Sequence, residues 1–241
     1  MKRIALTFLL LVLMNPFIPA PVHAREADSR QFLPAGSVDA HAIIKPPAAV
    51  DTAAFREQMA VVLWMQLTRP PAQVEFVQRS LNVERFGPLL GRELMSVDGI
   101  ELTKTIDTAI GEVRAEYDAI KHEYGLPRPF QVSDAIEPVT EPRPVASYPS
   151  GHATRAIVYA RLLAEVFPEK RQVLLDLAYQ IGYGRVLAGV HYPMDVLAGQ
   201  ALGTAYSDVI VGQSAFRQAV ERIRQPRARS PERAEATLPA D

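Results

Sequence analysis

Apolar residues recur at helical spacing along most of this chain. From Thr52, the stretch TAAFREQMAVVLWMQLT carries them three and four apart, and Pro70 and Pro71 end the pattern. PAQVEFVQRSL and NVERFGPLLGREL predict two shorter helices, the second bent at Gly87-Pro88. In DGIELTKTIDTAIGEVRAEYDAIKHEYG, Ile106, Ile110, Val113, Tyr117 and Ile120 fall on one face of a long helix, and Gly125 suits its C-terminal stop. Further helices are predicted from about Ser150 to Phe167, Glu169 to Leu187, Pro193 to Gly212 and Ser214 to Ile223. No strand alternation and no internal repeat interrupts the series. The pattern predicts an all-α, single-domain helical bundle over residues 51–224.

The segments between and around these helices read differently. Residues 25–50 are Pro-rich and weakly periodic, an extended arm that packs on the body or hangs loose. Residues 126–148 hold five prolines without periodicity, a loop long enough to suggest a functional role. Residues 225–241 lack a core-forming pattern and predict a disordered tail. Residues 1–24 begin with Lys2 and Arg3, continue through an apolar run from Ile4 to Met14 and end Val22-His23-Ala24. That order is the form of a secretory signal cut after Ala24, with an uncleaved anchor as the alternative. No later stretch approaches the ~18 consecutive apolar residues of a span. A periplasmic or secreted protein without a stable membrane span is therefore expected.

Composition narrows the chemistry. The 241 residues are 48% hydrophobic, enough for a substantial core, and their formal net charge is −1. So balanced a chain offers no large basic face to nucleic acid. There is no cysteine, which removes disulfides and thiol catalysis. No HExxH-type metal spacing and no Walker loop is present.

Three stretches carry candidate chemistry. KHEYGLPRPF contains Lys121 and Arg128; alone, these read as a helix-end lysine and a surface arginine. SYPSGHAT, Ser147 to Thr154, offers Ser150 as an N-cap, Gly151 for close backbone approach and His152 in the first turn. A helix start of that kind suits an anion, although a capped helix with an exposed histidine is the plain alternative. GRVLAGVHYPMDVLAG sets Arg185 six places before His191 and Asp195 four places after it. A carboxylate against one imidazole nitrogen fixes the tautomer and leaves the other nitrogen free to attack or accept a proton. His41 and His122 read as ordinary surface residues.

In order, Lys-x6-Arg-Pro, Pro-Ser-Gly-His and Arg-x5-His-x3-Asp resemble the motifs of the phosphatidic acid phosphatase type 2 (PAP2) superfamily, which also contains the vanadium haloperoxidases. The size and signal resemble its bacterial class A non-specific acid phosphatases. The resemblance implies an all-helical PAP2/haloperoxidase-like fold and a metal-independent acid phosphatase acting on small phosphomonoesters without a cofactor. It implies His191 as the nucleophile forming a phosphohistidine, Asp195 as its orienting group and His152 as the general acid. Lys121, Arg128 and Arg185 would clamp the phosphoryl oxygens, with donors from Ser150 and Gly151. Inorganic phosphate and vanadate would inhibit, acidic pH would favour turnover, and the arm is a candidate surface for homo-oligomerisation. The chain departs from the family where Gly184 replaces the serine that usually precedes the third-motif arginine. Lipid phosphate or pyrophosphate hydrolysis, vanadate-dependent halide oxidation and phosphate binding without catalysis remain alternatives.

Overall fold

The computed structural model describes residues 30–225. The segment read as a signal and the tail beyond residue 225 lie outside the described residues. Ten α-helical segments follow in order: α1 (Ala40–Ile43), α2 (Ala53–Thr68), α3 (Pro71–Gln78), α4 (Gly87–Leu90), α5 (Gly99–Tyr124), α6 (Pro129–Val132), α7 (Gly151–Val166), α8 (Arg171–Leu187), α9 (Pro193–Gly212) and α10 (Ser214–Arg224). No strand occurs among the described residues. The predicted all-α class is what the described residues form.

The boundaries follow from local chemistry. Asp98 accepts hydrogen bonds from the backbone N–H groups of Ile100 and Glu101 and so caps α5, while Gly125, at φ 57°, ends it in the left-handed conformation. Ser150 caps α7 by accepting from the Ala153 N–H. One expectation changes in detail. The stretch around Gly87-Pro88 is not a bent helix but two 3₁₀ segments, Val83–Phe86 and Gly91–Ser96, flanking the single turn α4. Gly91, at φ 54°, takes a backbone conformation that no continuous helix permits.

α7 is the central element. Its residues Ala153, Ala156, Ile157, Val158, Ala160, Leu162, Leu163 and Ala164 are buried over most of its circumference, with Arg155, Arg161 and Glu165 partly exposed. It packs against α5, α8 and α9. Glycines let α9 approach it closely: a Cβ at Gly199 would lie 2.5 Å from the Ser150 carbonyl oxygen, and one at Gly203 would lie 2.6 Å from that of Thr154. α10 closes the bundle with Phe216, Ala219, Val220 and Ile223 turned inward.

Residues 30–50 lie along the bundle. The backbone N–H groups of Gln31, Phe32 and Leu33 donate to the Glu112 carboxylate at 2.6, 2.9 and 2.8 Å, and Phe32 and Leu33 are buried. The long Pro-rich loop is held in the same manner. Gln66 bonds the Ala135 carbonyl and the Glu137 N–H, Arg69 reaches the carbonyls of Leu187 and Glu137, and Gln78 reaches that of Val139. Side chains of α2, α3 and the junction between them thus fix a segment whose own backbone makes few regular bonds.

The α7–α9 contact makes a direct prediction. Gly203→Ala drives a methyl into the backbone of α7 and should destabilise the fold by about 1–3 kcal/mol in urea unfolding. An unchanged midpoint would contradict the close approach described.

Candidate active site

Helical periodicity carries the cationic side chains inward. On α5 the buried stripe runs Leu102, Ile106, Ala109, Val113, Tyr117 and then Lys121, four residues on. On α8 it runs Leu174, Ala178, Ile181 and then Arg185. Both cations therefore continue an apolar face rather than cap a surface, and each is 8% exposed, as is Arg128 at the start of α6. Carbonyl groups hold them. Lys121 Nζ donates to Ala146 and Ser147 at 2.8 and 3.0 Å. Arg128 donates through Nε to Val145 at 2.8 Å and through Nη1 to Val190 at 3.0 Å. Arg185 Nη1 donates to Val77 at 3.3 Å and Nη2 to the Thr140 hydroxyl at 3.2 Å, while its buried Nε has no partner.

His191 and Asp195 sit at the entry to α9, both essentially inaccessible. His191 Nδ1 lies 3.0 Å from Asp195 Oδ2, and Nε2 lies 3.4 Å from Arg128 Nη1. With Nδ1–H donating to the carboxylate, the Nε2 lone pair is the free one and faces the cations. Asp195 Oδ2 also accepts from the Tyr192 N–H at 2.9 Å and from the Ser147 hydroxyl. Ser147 joins this cluster, and motif reasoning passed it over. It stands inside the quoted SYPSGHAT stretch, but nothing local says that its hydroxyl reaches α9.

The sequence-assigned donors at the α7 start divide. Gly151 and His152 line the cavity shared with Lys121, Arg128, Arg185 and His191, whose volume is about 990 Å³. Ser150 does not: its hydroxyl caps α7, and its N–H donates to the Asp195 carbonyl at 2.9 Å. Gly151 is also needed for packing, since a Cβ there would meet the Tyr117 ring at 2.8 Å. His122, read as a surface residue, borders the cavity although exposed.

Burial and mutual repulsion shape the electrostatics. Burial, reinforced by the Arg128 charge, lowers the Lys121 pKa to about 7. Arg185 is brought down to about 10 by burial and by Arg128, Arg155 and Arg143. His191 and His152 are held well below the ordinary histidine value, first by burial and then by the surrounding cations. Burial pushes Asp195 up to about 6 against the hydrogen bonds from Ser147 and Tyr192. The set is three buried cations around an oriented imidazole whose protonated form is disfavoured, an arrangement that suits an anion.

Gly184 has a structural reason. A Cβ there would lie 2.7 Å from Val77 Cγ1, so α3 occupies the direction a side chain would take. The same residue, Val77, offers its carbonyl to Arg185.

The sequence model of the PAP2 superfamily matches residues 105–218. The non-specific acid phosphatase of Salmonella typhimurium is 26% identical over 227 residues, 89% of this chain and 90% of that protein. The lipid A 1-phosphatase of Rhizobium johnstonii is 34% identical over 108 residues, 44% of this chain and 39% of that protein, so the chain spans about two fifths of that relative. Among solved structures, the first transmembrane PAP2 type phosphatidylglycerolphosphate phosphatase, from Bacillus subtilis, superposes with TM-score 0.51 at 21% identity, covering 68% of this chain and 87% of that one. This neighbour overturns the expected periplasmic or secreted location. The same helical body serves a transmembrane protein, because the motif residues all point inward and say nothing of what surrounds the bundle. Among the described residues, no helix is long and apolar enough to cross a membrane.

Two predictions follow from the geometry. Gly184→Ser should destabilise the fold by about 1–3 kcal/mol through overpacking, and Val77→Ala in the same chain should recover part of that loss in urea unfolding; equal stability of wild type and Gly184→Ser would contradict it. Sulfate, whose charge is constant from neutral to alkaline pH, should bind more weakly as pH rises through about 7, because Lys121 loses its positive charge there. Asp195 ionises from about 6 and acts in the same direction at lower pH. Calorimetric titrations should show the step near 7 vanish in Lys121→Met; persistence of that step would assign it elsewhere.

Proposed function

We propose that this chain, whose residues 105–218 match the sequence model of the PAP2 superfamily, is a phosphatase that hydrolyses small phosphomonoesters through a phosphohistidine, with its own cations in place of a metal ion. Phosphoryl transfer asks mainly for positioning and for stabilisation of charge on the equatorial oxygens. Lys121, Arg128 and Arg185 converge on one cavity and supply that charge, the arginines as planar forks and the lysine as a point charge.

In the first step His191 Nε2 bonds to phosphorus as the ester P–O bond breaks, and Nδ1–H stays on Asp195, which stabilises the imidazolium so formed. His152 gives its proton to the leaving alkoxide. In the second step water attacks phosphorus, the P–N bond breaks, and His152 takes the proton from water. The depressed pKa of His152 fits this cycle. Cations dominate its surroundings, and a bound phosphoryl dianion reverses that balance. Substrate binding and protonation of the general acid are thereby coupled.

The observation that carries the reading is the His191–Asp195 contact at 3.0 Å with Nε2 turned to Arg128. The volume of the cavity, about 990 Å³, favours one further reading, a larger phosphate ester such as a lipid phosphate. Whatever the leaving group, His191→Ala should reduce turnover of 4-nitrophenyl phosphate by about 10³-fold or more while the helical circular dichroism spectrum is kept. EDTA should leave the wild-type rate unchanged. Near-normal hydrolysis by His191→Ala would remove the assigned nucleophile, and inactivation by EDTA reversed by a divalent metal would remove the metal-independent mechanism.

A further inference from the structure

The cavity carries more positive charge than a single phosphoryl group requires. Beyond Lys121, Arg128 and Arg185 it is bordered by Arg79, Arg114, Arg143 and Arg155 against the carboxylates Asp118 and Glu141, and Arg79 pairs with Glu75 at 2.8 Å. Arg143 pairs with Glu141, and Arg114 pairs with Asp118 at 3.4 Å. Arg155 differs. It is half-buried, its recorded bond is from Nε to the Gly151 carbonyl at 3.2 Å, and no carboxylate among the described residues lies within ion-pair distance of it. Its charge is among those that depress His152 and Arg185.

Placement gives the second charge a distance. Arg155 is one turn along α7 from His152, the leaving-group side of the site, and Arg114 is two turns along α5 from Lys121. At ~1.5 Å of rise per residue these offsets are about 5 and about 10 Å. Between them the Tyr117 ring forms cavity wall against Gly151. An aromatic wall flanked by a partly buried guanidinium recognises a flat or extended group ending in an anion.

We propose that Arg155, with Arg114 as an outer charge partly offset by Asp118, forms a second-anion subsite, selecting phosphate esters whose leaving group carries a carboxylate or second phosphate about 5–10 Å from the reacting phosphorus. Arg155 is here a specificity residue. The proposal rests on the phosphatase reading but concerns the leaving group alone. A phosphoanhydride, with its two phosphorus atoms adjacent, is too short to use the subsite.

The test compares 4-carboxyphenyl phosphate and 1,4-phenylene bisphosphate with the neutral isostere 4-carbamoylphenyl phosphate. Wild type should favour each doubly anionic ester by about 10-fold or more in kcat/KM, mostly through KM. A preference for both esters assigns the subsite to charge in general, and a preference for one assigns it to carboxylate or phosphate. Arg155→Gln should bring the ratios towards one, whatever happens to the common rate, and Arg155→Lys should retain part of them. Arg114→Gln gives a second, smaller reduction and serves if Arg155→Gln does not fold. Wild-type ratios near one, or ratios untouched in Arg155→Gln, would overturn the subsite. If wild type hydrolyses none of the three esters, the phosphatase reading fails instead. The subsite is then judged by the calorimetric Kd values of the same esters, equal affinities overturning it.

Discussion

Three positive side chains lie buried around one point, and carbonyl oxygens rather than carboxylates hold them there. Carbonyls fix direction but do not cancel charge, so Lys121, Arg128 and Arg185 repel one another in surroundings that screen them poorly. The lowered pKa values of Lys121 and Arg185 express that repulsion as well as burial. An anion placed among them relieves all three at once. Asp195 offsets part of the charge on Lys121 and Arg128, but its Oδ2 is engaged by Ser147, the Tyr192 N–H and His191, and it is not among the groups acting on Arg185. The arrangement is stable only because the rest of the fold holds the cations where electrostatics alone would separate them.

That holding is done by a loop which looks irregular in sequence. Its prolines remove N–H donors, and the carbonyls of Val145, Ala146 and Ser147 need donors from elsewhere. Lys121 and Arg128 provide them, so the loop positions the cations and the cations order the loop. Gln66, Arg69 and Gln78 pin its far side. The close α7–α9 approach performs the matching task for the histidines. The Ser150 N–H to Asp195 carbonyl bond ties the helix start bearing His152 to the helix start that orients His191. Geometry on the histidine side is thus set by a backbone contact, and on the cation side by side chains bonded to backbone carbonyls.

Much of this was legible in the sequence, and the reason is periodicity. The long α5 pattern fixed both its own face and Gly125 as its end, and the same period carries Lys121 and Arg185 onto buried stripes. His191 and Asp195, four apart at a proline-marked helix start, read as a pair because that spacing spans one turn. What stayed hidden depends on contacts between distant segments. Ser147 reaches an acceptor 48 residues away, and no local pattern encodes that bond. The region around Gly87 reads as one bent helix because its apolar spacing is helical, while Gly91 at positive φ divides it into shorter segments. The compartment was misjudged for a different reason: inward-facing motifs define chemistry, whereas the medium outside is written in outward-facing residues.

The glycine at 184 shows how one local rule can be broken and its function redistributed. In sequence it reads as a lost hydroxyl beside a phosphate-binding arginine. In the fold, the space next to that backbone belongs to Val77, and α3 lies against α8 at a distance that a side chain at 184 would forbid. The approach brings the Val77 carbonyl to Arg185 Nη1, while Thr140 in the loop takes Nη2. A guanidinium held through two of its nitrogens is directionally restrained, and restraint of an existing donor can serve transition-state stabilisation as an added donor does. Glycine therefore suits the packing that orients Arg185, because the space a side chain at 184 would enter is filled by Val77.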